Sequence, residues 1–298
     1  MDNSKNKGIL TNLGGWSQFF FLFFLTFSGL MLTSFVILLT MTPDQMMNSA
    51  NSMRLAMAIQ TIFLFVVPAL FFAYLCQEVP KDYLKIETST NYTLLFFAIL
   101  FIIVAQPLIN SISYYNQQLI LPESMASLEQ WMRATEDSAL KSLNILFADK
   151  TIFGLIFNLL VLAIVAGLGE ELFFRGCIQQ IMKKIFVNHH AAIWITAIIF
   201  SAVHFQFYGF IPRVLLGALL GYLFMWSGNI WIPVIIHTLH NAINVVLTYL
   251  CYGSSEYEQM ENMEFGQNAL IIVISFVLSV VTLFMIYRSR IISKESEN

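Results

Sequence analysis

Charged residues are scarce in this sequence, because Asp, Glu, Lys and Arg together make up 11% of its 298 residues. Roughly a quarter of the residues of a soluble domain are charged, so an ordinary water-soluble fold is excluded. Hydrophobic residues make up 58% of the chain, and the mean hydropathy is +0.72. We therefore expect an all-α, polytopic membrane protein, built as a bundle of about eight transmembrane helices.

Cysteine is also rare. The three cysteines, Cys76, Cys177 and Cys251, lie far apart in or beside apolar segments, so neither a disulfide framework nor a zinc cluster is indicated. No basic tract occurs that would favour a nucleic-acid partner. The His-Glu-x-x-His pair that marks many zinc proteases is missing as well.

Long apolar runs predict the spans, since about 20 helical residues cross the hydrocarbon core of a bilayer. The runs cover about residues 16–40, 55–76, 92–112, 152–175, 191–208, 214–226, 230–252 and 269–287. Pro107 predicts a kink near the end of the third run. Between the third and fourth runs, residues 123–143 show a loosely amphipathic pattern, which is typical of a helix lying on the membrane surface.

The sequence divides into three regions by composition. These are 1–150, with three N-terminal spans and the surface segment, 151–252, a core of four spans, and 253–298, the final span and a cytoplasmic tail. The positive-inside rule favours a cytoplasmic N-terminus and C-terminus, because Lys5, Lys7, Lys183, Lys184 and Arg288 then all lie inside. We expect the protein in a cell membrane, such as the bacterial plasma membrane.

Acidic residues are unevenly distributed. Of the eighteen, all except Glu170 and Glu171 lie in predicted loops or tails. These two end the apolar run of the fourth span, where a carboxylate is costly and needs a partner or a task. Glu171 and Arg175 are four residues apart in the order that favours a helical ion pair, which predicts structural support. Glu170 points about 100° away from Glu171 and is the candidate for chemistry.

His204 and His237 lie inside predicted spans and have polar neighbours. His237 and Asn241 are four residues apart and share one face of the seventh helix, and Asn244 extends this polar stripe. A single intramembrane histidine is more often a hydrogen-bonded packing residue than a functional one. His204 alone therefore would not indicate a function.

The remaining histidines and Arg213 fit structural or undecided roles. His189 and His190 fall at a predicted turn, which favours a solvated loop. His240 is close enough to His237 to share its side of the helix, but its role stays open. Arg213 follows Pro212 and is expected to be an interfacial anchor.

These residue types can hydrolyse a peptide bond. A carboxylate beside a histidine can hold a water molecule and take its proton, and Glu170 with His204 supplies that pair. A second histidine and an amide, His237 and Asn241, can donate to the oxygen that becomes negative when water adds to a carbonyl. Two histidines and one glutamate also match a catalytic zinc site, with Glu170, His204 and His237 as the ligands. A proton relay in a transporter is a third interpretation.

Three motifs occur in order along the chain. They are Glu-Glu-x-x-x-Arg at 170–175, Phe-x-x-x-His at 200–204 and His-x-x-x-Asn at 237–241. Together they resemble the family of CAAX prenyl proteases and bacteriocin-processing or immunity proteins, the CPBP or Abi intramembrane proteases. The similarity covers roughly residues 155–250. It implies that Glu170 and His204 activate the hydrolytic water. It also implies that His237 and Asn241 are oxyanion donors and that Glu171 and Arg175 brace the site.

The resemblance implies an intramembrane endopeptidase. Its partners would be the lipid bilayer and a membrane-embedded or lipid-anchored peptide or protein, of which prenylated CAAX proteins are one class, and no nucleic acid. The family has been described both as metalloproteases and as metal-free glutamate proteases. We favour the metal-free mechanism, because the Asn241 amide suits an oxyanion better than a zinc ion, and Zn²⁺ is the alternative cofactor. A non-catalytic immunity, scaffold or transport protein of the same fold is the alternative function.

Overall fold

The computed structural model describes residues 8–251, 254, 255, 259 and 262–295, which are largely helical and contain no strand. The predicted all-α membrane bundle is confirmed. In the described residues the helices are α1 (Gly15–Thr40), α2 (Pro43–Asn48), α3 (Ala50–Cys76), α4 (Pro80–Tyr83), α5 (Tyr92–Val104), α6 (Gln106–Gln117), α7 (Ala126–Ala148), α8 (Ile152–Phe186), α9 (His189–Ala202), α10 (Phe210–Ser227), α11 (Trp231–Cys251) and α12 (Phe265–Glu295). Lys5 and Lys7, which entered the orientation argument, lie outside these residues.

Six of the described helices, α1, α3, α8, α10, α11 and α12, are long and apolar enough to cross a membrane, and the bent pair α5 and α6 makes a seventh. The sequence predicted eight spans. The one that is not among these seven is the run 191–208, which corresponds to the shorter helix α9. This helix has 14 residues, about 21 Å of length, because the chain turns after Ala202. Phe205 has a left-handed backbone with φ 55°, although its side chain continues the apolar run.

Local signals in the sequence explain several other features. α5 and α6 are bent by 51° at Ala105, because Pro107 lacks the N–H that a continuous helix requires. The amphipathic segment is helical as α7, and its position on the membrane surface stays a prediction. Lys183 and Lys184 lie in the last turn of α8. The helix ends at Phe186, and the chain reverses at the next residue, Val187.

The outer helices expose large apolar side chains. Phe20 and Phe24 on α1 and Phe276 and Phe284 on α12 are 55–63% exposed. In water such faces would associate, whereas lipid tails solvate them. This pattern is what a multi-pass membrane protein shows on its lipid-facing side.

Two glycines let α8 pack closely between its neighbours. A Cβ at Gly167 would lie 2.7 Å from Oγ1 of Thr238 on α11, and a Cβ at Gly169 would lie 2.7 Å from Cγ2 of Thr61 on α3. Neither position has room for a side chain, so the small residues permit close helix contact on both sides. Helices of the first 150 residues therefore pack directly on the expected core, and the three-region division stays a prediction.

Candidate active site

Glu170 and His204 come level because α8 and α9 form a tight antiparallel hairpin. The chain reverses at Val187, which has φ 54°, and the Asn188 side chain caps the first turn of α9. Glu170 and His204 lie equally far along the chain from Val187, so the two helices carry them to the same height. Nε2 of His204 lies 4.0 Å from Oε2 of Glu170.

His237 on α11 is the third group at this point. Its Nε2 atom lies 3.8 Å from the same Oε2 atom of Glu170. Its Nδ1 atom lies 2.7 Å from Oε1 of Glu171, which also accepts from Nη1 of Arg175 at 2.5 Å. The predicted ion pair is therefore present, and both of its side chains are fully buried. The bond from His237 to Glu171 was not foreseen from the sequence.

Hydrogen bonds at Nδ1 determine what each histidine presents to Glu170. Nδ1 of His204 lies 2.8 Å from the carbonyl oxygen of Phe200, and Nδ1 of His237 faces a carboxylate oxygen. Both oxygens can only accept, so each Nδ1 carries a proton, and Nε2 of a neutral ring presents its lone pair. Oε2 of Glu170 is buried and has no hydrogen-bond partner among the described residues. Three acceptor atoms thus converge, and a water molecule that donates two hydrogens suits them.

A zinc ion is the other group that three acceptors could hold, with ligands about 2.0–2.2 Å from the metal. In the part of the chain that the structure describes, no three His, Cys, Asp or Glu side chains have an arrangement that could hold a metal ion. Glu170, His204 and His237 therefore do not fit a metal centre in this arrangement.

Asn241 is held in a defined orientation one turn beyond His237. Its Nδ2 atom donates to the carbonyl oxygen of Leu162 at 3.2 Å. Leu162 belongs to a π-helical stretch of α8, Leu159–Val165, and such wide turns are common at functional sites. Only the NH₂ end of the amide can donate to a carbonyl, so its second N–H remains for another acceptor.

One cavity of about 960 Å³ is lined by Glu170, His204, His237 and Asn241. The four predicted side chains, which come from three separate elements, therefore share one site. Their catalytic roles stay predictions. The wall away from these groups is mostly apolar, with contributions from α1 and α3 that include Phe19, Phe23, Phe27, Leu30 and Phe65.

Two cavity residues were not assigned to the site from the sequence. His240 lines the cavity, and its Nε2 atom lies 3.2 Å from Nδ2 of Asn244. Arg213, expected to be an interfacial anchor, instead lines the cavity near His204. The signal for Arg213 is its closeness to the turn that follows His204, which places it at the same end of the helices.

His189 and His190 begin α9 and are exposed. His190 is bonded through Nδ1 to the hydroxyl of Tyr222 at 2.8 Å. They are therefore the first residues of a helix rather than part of a loop, and they lie away from the cavity.

Residues 152–243 match the sequence model of the type II CAAX prenyl endopeptidases, Rce1-like. This segment is therefore similar to an Rce1-like domain. The resemblance to the CPBP family is confirmed. Because Rce1-like proteins are a protease family, the match supports a hydrolase.

The Rce1-like domain also has a curated relative. YpbD of Bacillus subtilis (strain 168), an uncharacterized protein, is 29% identical over 102 residues, which are 33% of this chain and 47% of YpbD. The similarity thus spans about half the length of that relative. No solved structure matches the chain significantly.

All three motifs lie inside the Rce1-like domain, which runs from the start of α8 into α11. The apolar wall of the cavity is different, since Phe19, Phe23 and Phe65 belong to α1 and α3. The polar end of the site is thus formed by the Rce1-like domain, and much of its apolar wall by helices outside it.

Proposed function

We propose that this chain is a CAAX-type intramembrane endopeptidase, in which Glu170 and His204 activate the water that hydrolyses a peptide bond. The observation that carries the proposal is the convergence of Oε2 of Glu170 with Nε2 of His204 and Nε2 of His237, at 4.0 and 3.8 Å, inside a largely apolar cavity. Two acceptors about 4 Å apart can both accept from one water oxygen that lies about 2.8 Å from each.

In the first step the Glu170 carboxylate takes a proton from this water as its oxygen bonds to the carbonyl carbon of the substrate. His204 accepts the other hydrogen of the water and so orients it. As the tetrahedral intermediate collapses, the C–N bond breaks and the proton passes from Glu170 to the leaving amine. Both products then carry ordinary termini, and the glutamate is regenerated.

His237 and Asn241 are proposed to bind the oxygen that becomes negative. Asn241 has a free N–H for this purpose. His237 can donate from Nε2 only when both ring nitrogens are protonated, and the Glu171 carboxylate lies 2.7 Å from its Nδ1. Donors of this kind contribute about 3 kcal/mol each to transition-state binding.

A lipid-anchored substrate suits the cavity. The apolar wall offers a surface to a prenyl or acyl chain, and the peptide next to that anchor would reach the polar end. We propose a cell membrane location, with both termini cytoplasmic and the site near the cytoplasmic side. Both termini lie on the same side only if the chain crosses the membrane an even number of times, so α9 must also cross it. Reporter fusions at the C-terminus test this orientation.

The decisive variant is Glu170→Gln, which keeps the shape of the side chain and removes the base. We expect cleavage to fall by about 10²–10⁴-fold while insertion and thermal stability are retained. Proteomics of membrane-protein termini, in cells with the wild type or the variant, identifies substrates as termini that disappear. Cleavage that survives in Glu170→Gln removes Glu170 as the base.

Two further measurements separate the alternatives. A scaffold or immunity protein should tolerate Glu170→Gln but be weakened by Glu171→Gln, because only Glu171 holds a buried cation. For the cofactor, elemental analysis of purified protein is expected to find no stoichiometric zinc. One zinc per chain that is lost in Glu170→Gln would replace the metal-free mechanism.

A further inference from the structure

A second cavity, of about 570 Å³, shares no lining residue with the candidate active site. The turn between α8 and α9 contributes Val187 and His190 to it, the end of α10 contributes Trp226, and the end of α12 contributes Tyr287 and Arg290. The three apolar spans α8, α10 and α12 all end at this point. Since helices that cross a membrane end near its surface, the cavity lies at the level of the lipid headgroups.

Arg290 is the cation of this cavity. Its Cζ atom lies 3.8 Å from the centre of the Tyr287 ring and 5.7 Å from that of the Trp226 ring. No ion pair among the described residues includes Arg290. A guanidinium that lies on the face of a ring keeps the N–H groups at its edge available for an acceptor. The rings therefore hold the cation in place while its charge remains available to an anion.

Trp226 supplies a second donor. Its Nε1 atom is buried and has no hydrogen-bond partner in the described part of the chain. An indole N–H can only donate, and a buried donor without an acceptor is costly. The Trp226 ring packs against Tyr222 at 5.2 Å, and the Tyr222 hydroxyl is hydrogen-bonded to Nδ1 of His190 at 2.8 Å. The indole is thus held by its neighbours, and an acceptor in the cavity would satisfy its N–H.

The lining of this cavity is basic. None of the lining residues in the described chain is Asp or Glu. His189 also lines the cavity, and the charged groups that act on it, Lys183 and His190, are both basic. A phosphocholine headgroup would find no carboxylate here for its ammonium group, and Arg290 already covers the Tyr287 ring. A headgroup whose phosphate carries an uncompensated negative charge is therefore favoured.

We propose that this cavity binds an anionic lipid of the bilayer through its phosphate group. The Arg290 guanidinium and the Trp226 N–H donate to the phosphate oxygens, for which the planar fork of an arginine is well suited. Because Val187 lies in the turn between α8 and α9, the bound lipid links that turn to the end of α12. The site is independent of the proposed hydrolysis.

Native mass spectrometry of the full chain in detergent measures the affinity for the first bound lipid. The probes are dioleoylphosphatidylglycerol, which is anionic, and dioleoylphosphatidylcholine, which is not. We expect the anionic lipid to bind at least about tenfold more tightly, and Arg290→Gln to remove most of this difference, as a charge-assisted hydrogen bond implies. Trp226→Phe keeps a ring but removes the N–H, and should weaken binding of the anionic lipid about threefold.

Arg288→Gln is the matched control. Arg288 carries the same charge two residues earlier on α12 and also lies over a ring, that of Phe284 at 5.9 Å, but it is exposed and does not line the cavity. This variant should bind the anionic lipid as the wild type does. Equal losses in Arg288→Gln and Arg290→Gln overturn the inference, because the basic end of α12 would then attract anionic lipid only as a diffuse charge.

Two other results also overturn it. One is equal affinity for the two lipids. The other is displacement of the anionic lipid by millimolar inorganic phosphate, which would assign the cavity to a soluble phosphate instead. If Arg290→Gln does not fold, Trp226→Phe becomes the deciding variant, and an affinity equal to that of the wild type rejects the site.

Discussion

Two buried polar clusters lie along α8, one near its start and one near its middle. In the first, Arg54 of α3 is 4% exposed. Its Nε donates to Oδ1 of Asn158 at 2.8 Å, and its Nη1 donates to Asn51 at 2.7 Å and to Asp149 at 3.0 Å. Its Nη2 and the Asn158 amide both donate to the carbonyl oxygen of Leu146. Every nitrogen of this guanidinium therefore has an acceptor.

In the second cluster the hydrogen bonds are incomplete. Oε2 of Glu170, Oε2 of Glu171 and Nε of Arg175 are buried and lack partners within the described residues. A buried polar atom without a partner costs about 1–3 kcal/mol. Natural proteins keep such groups mainly where function requires them. The Arg54 cluster is thus complete within the protein, whereas the Glu170 cluster leaves buried acceptors open to a bound water or substrate.

The strongest test of this contrast separates Glu171 from Glu170. Glu171→Gln leaves Arg175, which is fully buried, without its counter-charge, and breaking a buried pair costs about 3–5 kcal/mol. Glu170→Gln is the matched control and should change stability by less than about 1 kcal/mol, because no arginine or lysine of the described residues forms an ion pair with Glu170. Thermal unfolding in detergent measures both variants. Equal losses in the two variants would show that both glutamates are structural.

A smaller loss of stability, with cleavage retained, is expected when the first cluster, around Arg54, is changed. Arg54→Leu leaves the buried Oδ1 of Asn158 without its donor and removes the counter-charge of Asp149, which should lower the free energy of unfolding by about 1–3 kcal/mol. The folded fraction should retain cleavage within about a factor of two. Asn51→Ala, which removes one acceptor at the edge of the same cluster, is the milder control. Loss of cleavage at unchanged stability would connect this cluster with the chemistry and erase the distinction.

Much of the membrane bundle could be predicted from apolar runs, because lipid demands long apolar helices. The end of α9 could not, since Val203, Phe205 and Phe207 continue the apolar pattern after the helix has ended. Arg54, which directly precedes the second apolar run, could not be paired from the sequence either. Its acceptors Asn158 and Asp149 are about a hundred residues away along the sequence, so no local pattern predicts that contact.

The candidate site shows the same division. The motif spacings identified Glu170, His204, His237 and Asn241 as candidate residues. The structure places all four around one cavity. The bond from His237 to Glu171 and the position of Arg213 in the cavity depend on tertiary contacts instead. Glu171 bonds His237 on another helix, and the Arg213 guanidinium lies over Gly209, in the turn that follows His204. Periodicity within one helix does not report either contact.

The loop that carries His204 gives the next test. Trp131 of α7 contacts the rings of Phe205 and Phe207 at 6.3 and 5.5 Å. Aromatic pairs of this kind contribute about 0.5–1.5 kcal/mol each, so Trp131→Ala should loosen the loop and lower kcat about 3- to 10-fold. Leu140→Ala, on the same helix and 47% exposed, should have no such effect. If the two variants behave alike, α7 does not position His204.

The smallest expected effect is a pH dependence at the edge of the Arg54 cluster. Hydrogen bonds from Thr151, and to a lesser degree from Arg54, lower the pKa of the Asp149 carboxyl. Because its pKa is lower in the folded chain than in the unfolded chain, the ionised group stabilises the fold above about pH 4. That contribution is lost as the pH falls further.

The Asp149→Asn variant should therefore lose less stability than the wild type between about pH 5 and pH 3. The difference should stay below about 1 kcal/mol, because the Asp149 side chain is 27% exposed and its pair is screened by water. Unfolding midpoints across this range, with Asp82→Asn on the distant α4 as the control, measure it. If wild type and Asp149→Asn lose stability in parallel, Asp149 adds no charge interaction to the first cluster. Arg54 would then be held by its amide and carbonyl acceptors alone, and that cluster would owe its stability to complete hydrogen bonding rather than to charge pairing.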